Sequence, residues 1–428
     1  MAHLSSDTIA KFLLSVSLLI VSQPSILASE PLSMLHAEVA VDGNPSTILP
    51  TSDGRFVFVS MTNVGGPNYS TPDVEAGKRR GVVSGVDIFR TVDSKLEFVR
   101  FIRIGSKGAN GMIFLPGEKT IVVAAGDEGV VFLDVQAAIE GKAKPKIVSQ
   151  GNGAGTWDVV AKSDGKYVFA SNEYGQFQLQ RGNIGVLAVE TTSDGHFLNA
   201  HTIRNIPAGN KAPRLTLSPN GSRLYVVREI HPHAAVLHFF GKRNPLLSKH
   251  DCIQIWGIPP QANGLLSVID VQKAIRMPSG EGSILIEMAS GCSPVTVIEA
   301  NDSSTLYVAA RGDNKVLLFS PSLLELDPDN AFLGAVDTGG DAPVGLGLLP
   351  NGKRLIVTNS NRFGKHGGEI SIIDITHSSD RAAIQRVPAG DFPRNITIAP
   401  DGKTIFVANY SSRTIEVVRV QKKRNDPK

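Results

Sequence analysis

A short pattern recurs seven times along the chain and constrains its fold more than any other feature. Each copy places a tight turn, which is Asp-Gly or Asn-Gly in five of the copies, before a run of apolar residues. Asp, Asn and Gly tolerate the positive φ that hairpin turns need, so each copy predicts two strands joined by a turn. The copies cover residues 52–60, 116–125, 163–171, 219–228, 301–310, 350–359 and 398–409.

The spacing of the copies leaves room for two further strands after each turn. Seven units of four strands predict an all-β fold, a seven-bladed β-propeller with four-stranded blades, over residues 35–420. Some third strands, such as 265–271, are almost continuously apolar, as expected for blades that are packed on both faces. Short helices are expected at 136–139 and 272–275.

The last unit supplies only three strands, at 395–399, 405–409 and 414–420. Residues 35–42 form a further strand that has no hairpin partner beside it. Pairing 35–42 with 414–420 would complete the last blade and cover an exposed sheet edge. The sequence therefore predicts a ring closed by the N-terminal strand, which joins the last blade.

The two ends of the chain differ in composition from the repeats. Lys11 precedes an apolar run of ten residues, 12–21, and this arrangement predicts a secretory signal peptide over residues 1–28, with cleavage near Ala28. The alternatives are an uncleaved anchor and a buried segment. We expect a periplasmic or secreted protein with no membrane span after signal removal, and a basic tail over residues 421–428.

Charge and composition exclude several classes of function. The net charge of +3 is small and forms no basic stripe, so we expect no nucleic-acid partner. The sequence has no P-loop, no Gly-x-Ser-x-Gly motif and no haem-attachment motif. Two histidines form a His-x-His pair at 231 and 233, and His238 and His250 follow, but no partner stands at ligand spacing. We therefore expect no metal, no cofactor and a monomer.

In a propeller the turns between first and second strands share one face, and the long connections share the other. The long insertions, at 63–80, 173–181 and 230–262, all follow second strands, so a binding site is expected on their face. Aligning the ends of the second strands predicts one column of side chains around the channel mouth: Met61, Gly126, Asn172, Glu229, Arg311, Ser360 and Tyr410.

Two members of this column carry opposite charges in neighbouring blades. Glu229 belongs to the fourth blade and Arg311 to the fifth. One interpretation is a structural salt bridge between the blades, because ion pairs without function are frequent. The other is an acid and a cation that converge on a small polar ligand.

The repeats resemble those of the bacterial seven-bladed propellers of the YVTN type and of the related lactonase family. The resemblance covers nearly all of residues 35–420 and is strongest at 306–311 and 405–409. It implies that Glu229 and Arg311, which end the second strands of adjacent blades, are site residues.

The resemblance extends in part to the entrance of the site. Pro213-Arg214 matches the Pro-Arg pair of the family but lies one residue nearer the turn, and Trp157 stands where the family has a site histidine. In the lactone hydrolase that the resemblance implies, Arg214 and Arg311 would polarise the carbonyl and hold the oxyanion. Glu229 would act as the general base on water.

The sequence supports three functions. The first is an exported module without catalysis, whose loop-rich face binds a small polar ligand or a protein partner through Trp157, Asn172, Glu229, Arg311 and Tyr410. The alternative is a lactone hydrolase similar to 6-phosphogluconolactonase, a carboxylic ester hydrolase. The third is a purely structural protein of the envelope. Whether the chain is an enzyme stays open at this point.

The two cysteines of the chain lie forty residues apart, in neighbouring blades and on the same face. Cys252 falls in the insertion of the fourth blade, and Cys292 falls just before the first strand of the fifth. An exported compartment permits oxidation, so we predict a disulfide between them. The alternative is two small buried residues that never touch.

Overall fold

The computed structural model describes residues 32–64, 83–105, 108–151, 154–174, 181–209, 214–228, 263–277, 280–361, 367–376 and 383–421. Within these residues, 28 strands form seven antiparallel sheets of four strands each. All of the sheets belong to the unit Pro31–Lys428. No helix in the described part of the chain is long and apolar enough to cross a membrane.

Each of the first six blades uses four consecutive strands, and the seventh combines the last three strands with the first strand of the chain. Blade 1 consists of β2 (Asn44–Pro50), β3 (Phe56–Val64), β4 (Val83–Val92) and β5 (Lys95–Gly105), and blade 2 of β6 (Met112–Phe114), β7 (Thr120–Ala124), β8 (Val130–Asp134) and β9 (Lys146–Val148). Blade 3 consists of β10 (Thr156–Ala161), β11 (Tyr167–Tyr174), β12 (Arg181–Thr191) and β13 (Phe197–Gly209), blade 4 of β14 (Arg214–Leu217), β15 (Arg223–Arg228), β16 (Asn263–Asp270) and β17 (Ile284–Cys292), and blade 5 of β18 (Pro294–Glu299), β19 (Leu306–Ala310), β20 (Lys315–Phe319) and β21 (Phe332–Asp337). Blade 6 consists of β22 (Pro343–Leu348), β23 (Arg354–Asn359), β24 (Glu369–Asp374) and β25 (Ala383–Pro388), and blade 7 of β26 (Pro393–Ile398), β27 (Thr404–Asn409), β28 (Thr414–Gln421) and β1 (Ser33–Ala40).

The first strands of the blades line the centre of a closed ring. Strand β2 contacts β6, β6 contacts β10, and the series continues through β14, β18, β22 and β26 back to β2. Seven apolar clusters lie between successive blades, including one between blades 7 and 1. Burying one Val, Ile, Leu or Phe side chain contributes roughly 1.5–3 kcal/mol, so the interfaces between blades are the main stabilising element of the ring.

The N-terminal strand closes the ring as the sequence predicts. Strand β1 pairs antiparallel with β28 in unbroken register, from Ser33 opposite Gln421 to Ala40 opposite Thr414. His36 Nδ1 lies 2.9 Å from Oε1 of the buried Glu416. The edge that three strands alone would leave open is therefore covered by the start of the described chain.

The turns between first and second strands differ in one respect from the sequence prediction. In the five Asp-Gly and Asn-Gly copies the glycine has a φ between 65° and 68°, but the preceding Asp or Asn does not adopt a positive φ. Its Oδ1 instead accepts the backbone N–H two residues later, at 2.8 to 3.0 Å. The Asp or Asn thus stabilises the turn through its side chain, as an Asx-turn.

Three short helices lie outside the sheets: α1 (Val135–Glu140), α2 (Val271–Arg276) and α3 (Pro321–Leu326). The first two confirm the helices expected at 136–139 and 272–275, and the sequence analysis missed α3. Ser320 caps α3 by accepting the N–H of Leu323, and Pro321 occupies its first turn. Three 3₁₀ segments complete the described structure, at Gly280–Ser283, Arg311–Asp313 and Pro328–Asn330.

Candidate functional site

A bulge at the same place in four first strands aims one side chain out of the regular ladder. The pairing of the first and second strands skips one residue in blades 3, 5, 6 and 7. A bulge bends the strand locally and changes the direction of the extra side chain. The skipped residues are Trp157, Val295, Val344 and Arg394.

The backbone around each bulge is held by one recurring hydrogen bond. The residue before the first strand, which is Gly155, Ser293, Ala342 or Phe392, has a φ between 51° and 61°. Its carbonyl oxygen accepts the N–H of the residue that follows the paired part of the second strand, at 2.9 to 3.2 Å. The residues held in this way are Glu173, Arg311, Ser360 and Tyr410.

These hydrogen bonds show that the aligned column is displaced by one residue in blades 1 and 3. Asn172 pairs with Thr156, as Asn409 pairs with Pro393, so Glu173 rather than Asn172 is equivalent to Tyr410. By the same register Thr62 replaces Met61. Strands β3 and β11 continue past the point where the other second strands end, and this extension hides the equivalent position from the sequence.

The side chain of Arg394 lies between two aromatic rings. Its Cζ is 4.4 Å from the centre of the Trp157 ring and 4.7 Å from the centre of the Tyr410 ring. Trp157 belongs to blade 3, and Arg394 belongs to blade 7, which is not its neighbour in the ring. The contact therefore crosses the mouth of the central channel, and it is the kind of cation–π arrangement that arginine favours.

The ring of Tyr410 is fixed on its other side. The ring of Phe392 packs edge-on against it, with centroids 5.6 Å apart. The hydroxyl of Thr62 donates to the Tyr410 hydroxyl oxygen at 3.3 Å. Blades 7 and 1 thus hold one wall of the arginine site.

Electrostatics connect Arg394 to two further arginines. Burial lowers the pKa of Arg394, the positive charges of Arg214 and Arg311 lower it further, and Glu173 and Tyr410 oppose these effects. The guanidinium groups of blades 4 and 5 therefore lie near enough to that of Arg394 in blade 7 to act on it, at the loop-rich end of the channel. We call Trp157, Glu173, Arg214, Arg311, Arg394 and Tyr410 the mouth cluster.

Arg214 is braced against the neighbouring blade. Its Nη1 is 3.7 Å from Oδ1 of Asp158, and both side chains are largely buried. Burial raises the pKa of Asp158, whereas the charge of Arg214 and the N–H of Leu215 lower it. The pair therefore keeps a cation at the first position of β14.

Arg311 is fixed through the segment that contains Cys292. Its Nη2 donates to Ser293 Oγ at 3.1 Å, and its side chain is 5% exposed. Asp313 accepts the N–H of Cys292 at 2.7 Å. Cys292 is buried and disulfide-bonded. Its predicted partner, Cys252, lies outside the described residues, so the pairing stays a prediction.

Comparisons with known proteins agree with this architecture. The family model "Lactonase, 7-bladed beta-propeller" matches residues 346–427, which include Arg394 and Tyr410. The chain is a seven-bladed β-propeller, and the part of it that covers blades 6 and 7 is similar to that family. A chain of the hydrazine synthase of Kuenenia stuttgartiensis is similar in structure, with a TM-score of 0.56 and 16% identity over 89% of this chain and 97% of that one. None of the curated proteins compared with this propeller matches it.

Among the predicted site residues, the structure brings Trp157, Arg214, Arg311 and Tyr410 to one end of the channel. Asn172 is fully buried, and its amide is bonded to Thr156 and Asn183 within the blade. Glu229, Pro213 and the four histidines of the insertion lie outside the described residues. The predicted contact between Glu229 and Arg311 therefore stays a prediction.

The sequence analysis missed two members of the mouth cluster, Glu173 and Arg394. A signal for Arg394 was present, because Pro393-Arg394 in blade 7 repeats Pro213-Arg214 in blade 4. No group of metal-ligating side chains stands together in the part of the chain that the structure describes.

A separate cavity of about 550 Å³ opens at the opposite end of the first strands. It is lined by turn residues of blades 2 and 3, such as Pro116 and Lys162, and by Leu217 of blade 4. Its walls lie on the face of the short turns, away from the mouth cluster, so the two are different sites.

Proposed function

We propose that this propeller is an exported protein that binds a small anionic ligand at the mouth of its channel. The observation that carries the proposal is that the partly exposed Arg394, held between Trp157 and Tyr410, lies within electrostatic reach of Arg214 and Arg311. Like charges in a restricted space repel each other, and a bound anion relieves that repulsion. Aromatic walls with a few converging polar groups are typical of ligand sites.

Two of the three arginines are held in place by neighbouring side chains. Arg214 is tied to Asp158 and Arg311 to Ser293, so the guanidinium groups are held by the blades rather than by long loops. Sites on rigid scaffold elements keep their geometry, which favours a compact ligand with oxygen acceptors. Sugar acids and their lactones have this chemistry.

The test is ligand-dependent thermal unfolding of the protein without residues 1–28, with sugar acids, small lactones and inorganic phosphate as probes. A ligand at a hundred times its Kd adds about 2.7 kcal/mol to stability, so a measurable rise in Tm is expected. The rise should disappear in Arg311→Gln, which removes one of the three positive charges. The matched control is Arg55→Gln, which removes an exposed arginine from a turn on the opposite face.

Two results would contradict the proposal. One is a Tm that none of the probes changes. The other is a rise in Tm that Arg311→Gln and Arg55→Gln reduce equally, since that would indicate nonspecific binding of anions to surface charge. Salt weakens specific and nonspecific binding of anions alike, so the salt dependence of the rise in Tm does not separate them.

A second function, lactone hydrolysis, is favoured by the match to the lactonase family. In this reading Arg214 and Arg311 polarise the carbonyl of the lactone and Glu229 activates water. Release of acid from sugar lactones would be followed in wild type and in Glu229→Gln. A positioned acid–base group is typically worth ~10²–10⁴ in rate, and hydrolysis that the substitution leaves unchanged would exclude this mechanism.

A further inference from the structure

Arg394 differs from the other two arginines of the mouth cluster in how it is held. Arg214 faces a carboxylate and Arg311 donates to a hydroxyl. The guanidinium of Arg394 contacts the faces of Trp157 and Tyr410 and, among the described residues, makes no hydrogen bond or ion pair. Its position is therefore fixed without the use of its N–H groups.

An arginine carries five N–H donors in a planar fork, and ring faces stabilise its charge without occupying those donors. Leaving donors of a charged group unbonded is costly, unless water or a ligand reaches them. Arg394 is partly exposed, so a ligand in the channel mouth can reach the fork. The bulge that carries Arg394 and the positive φ of Phe392 before it set this placement in the backbone.

We propose that Arg394 is the specificity-determining residue of the mouth, and that it binds a carboxylate or phosphate group of the ligand through two parallel N–H···O bonds. The inference rests on the function proposed above and names the chemistry of its ligand. Trp157 and Tyr410 act as positioning residues that hold the fork. A planar fork discriminates in favour of such oxyanions over neutral acceptors, and a lysine cannot replace it.

Trp157 provides a direct signal for binding at Arg394. The chain has two tryptophans, and replacing Trp256 by Phe leaves Trp157 as the single tryptophan. The probes are gluconate, its neutral amide gluconamide, and inorganic phosphate. Gluconate and phosphate separate the two sources of the oxyanion, and gluconamide matches gluconate in size without its charge.

We expect gluconate or phosphate to change the emission of Trp157 and to bind at least tenfold more tightly than gluconamide. Arg394→Lys keeps the charge but loses the fork, and should weaken binding about tenfold or more. Tyr410→Leu keeps the arginine but removes one wall, and should weaken binding by a smaller factor. Arg55→Lys, on the turn face, should bind as wild type does.

The outcomes separate this inference from the function on which it rests. If the anions bind and Arg394→Lys retains wild-type affinity, or if binding leaves Trp157 emission unchanged, Arg394 is not the anchor although the mouth still binds an anion. If gluconamide binds as tightly as gluconate, the oxyanion chemistry is wrong. If no probe binds, the proposed function and this inference fall together.

Discussion

The carboxyl group of Asp87 in blade 1 makes stability depend on pH in a direction that the structure defines. Asp87 lies in β4 between the buried Val86 and Ile88 and is itself 5% exposed. Side chains alternate along a strand, so it shares a face with Phe89, which packs at the interface of blades 7 and 1. Burial, together with the smaller effect of the charge of Asp42, raises the pKa of Asp87 to about 7.

The size of the effect follows from linkage. An unfolded aspartate titrates near ~3.9, so about three pH units separate its folded and unfolded pKa values. Because the folded pKa is the higher one, stability is unaffected below the unfolded value and falls as the pH rises towards 7. Because the unfolded chain loses this proton at a lower pH than the folded protein does, the fold is less stable by about 1.5 kcal/mol at ~pH 5 and by about 4 kcal/mol at ~pH 8.

Asp87→Asn keeps the shape of the side chain and removes the titration. We expect the variant to be more stable than wild type at ~pH 8. The difference in the free energy of unfolding should be much smaller at ~pH 5. Urea unfolding at both pH values measures the difference, and Asp329→Asn, at an exposed aspartate of blade 5, is the matched control. An advantage of equal size at both pH values, or a less stable variant at the higher one, would refute the reasoning.

Three further predictions concern the ring, the cysteines and Asn172. Deleting residues 29–43 removes β1 and its pairing with β28, and should cause aggregation or a large loss of stability, whereas deleting 422–428 should not; a monomer with an unchanged melting point would contradict this. The predicted Cys252–Cys292 disulfide is expected to contribute roughly 3–4 kcal/mol and to leave no free thiol in the unfolded, unreduced protein, so a count of two thiols would disprove it. Asn172→Ala should cost about 1–3 kcal/mol in unfolding experiments because it breaks buried hydrogen bonds, yet leave probe affinity unchanged; a loss of affinity at unchanged stability would return Asn172 to the binding site.

The sequence was sufficient to predict the architecture, because the repeated hairpin pattern gives the number and the spacing of the blades. Seven copies of one hairpin define seven blades, and a last unit with three strands requires a fourth from elsewhere. The lone segment at 35–42 was the available candidate, and β1 fills that place. The short helix at Pro321–Leu326 was missed although Ser320 and Pro321 are typical of a helix start.

The site was harder to predict, because its geometry depends on register. Alignment by the ends of the second strands works only where these strands end at the same level, and β3 and β11 do not. The alignment is displaced by only one residue, but it therefore gave the buried Asn172 in place of the partly exposed Glu173. The Pro393-Arg394 pair was a local signal for Arg394, but the contact of Arg394 with Trp157 joins blades on different sides of the channel, and no local pattern predicts it.

The bulges in the first strands differ from blade to blade in the side chain that they carry. Blades 5 and 6 carry Val295 and Val344 at the bulge, and both are buried. Blades 3 and 7 carry Trp157 and Arg394 at the same position, with the same backbone turn before the strand and the same N–H to carbonyl bond beside it. The backbone therefore supplies several equivalent positions around the channel, and side-chain identity alone distinguishes the buried apolar ones from the two that form the cation–π contact. The repeated residues therefore predict the fold, whereas a ligand has to be inferred from the residues that depart from the repeat.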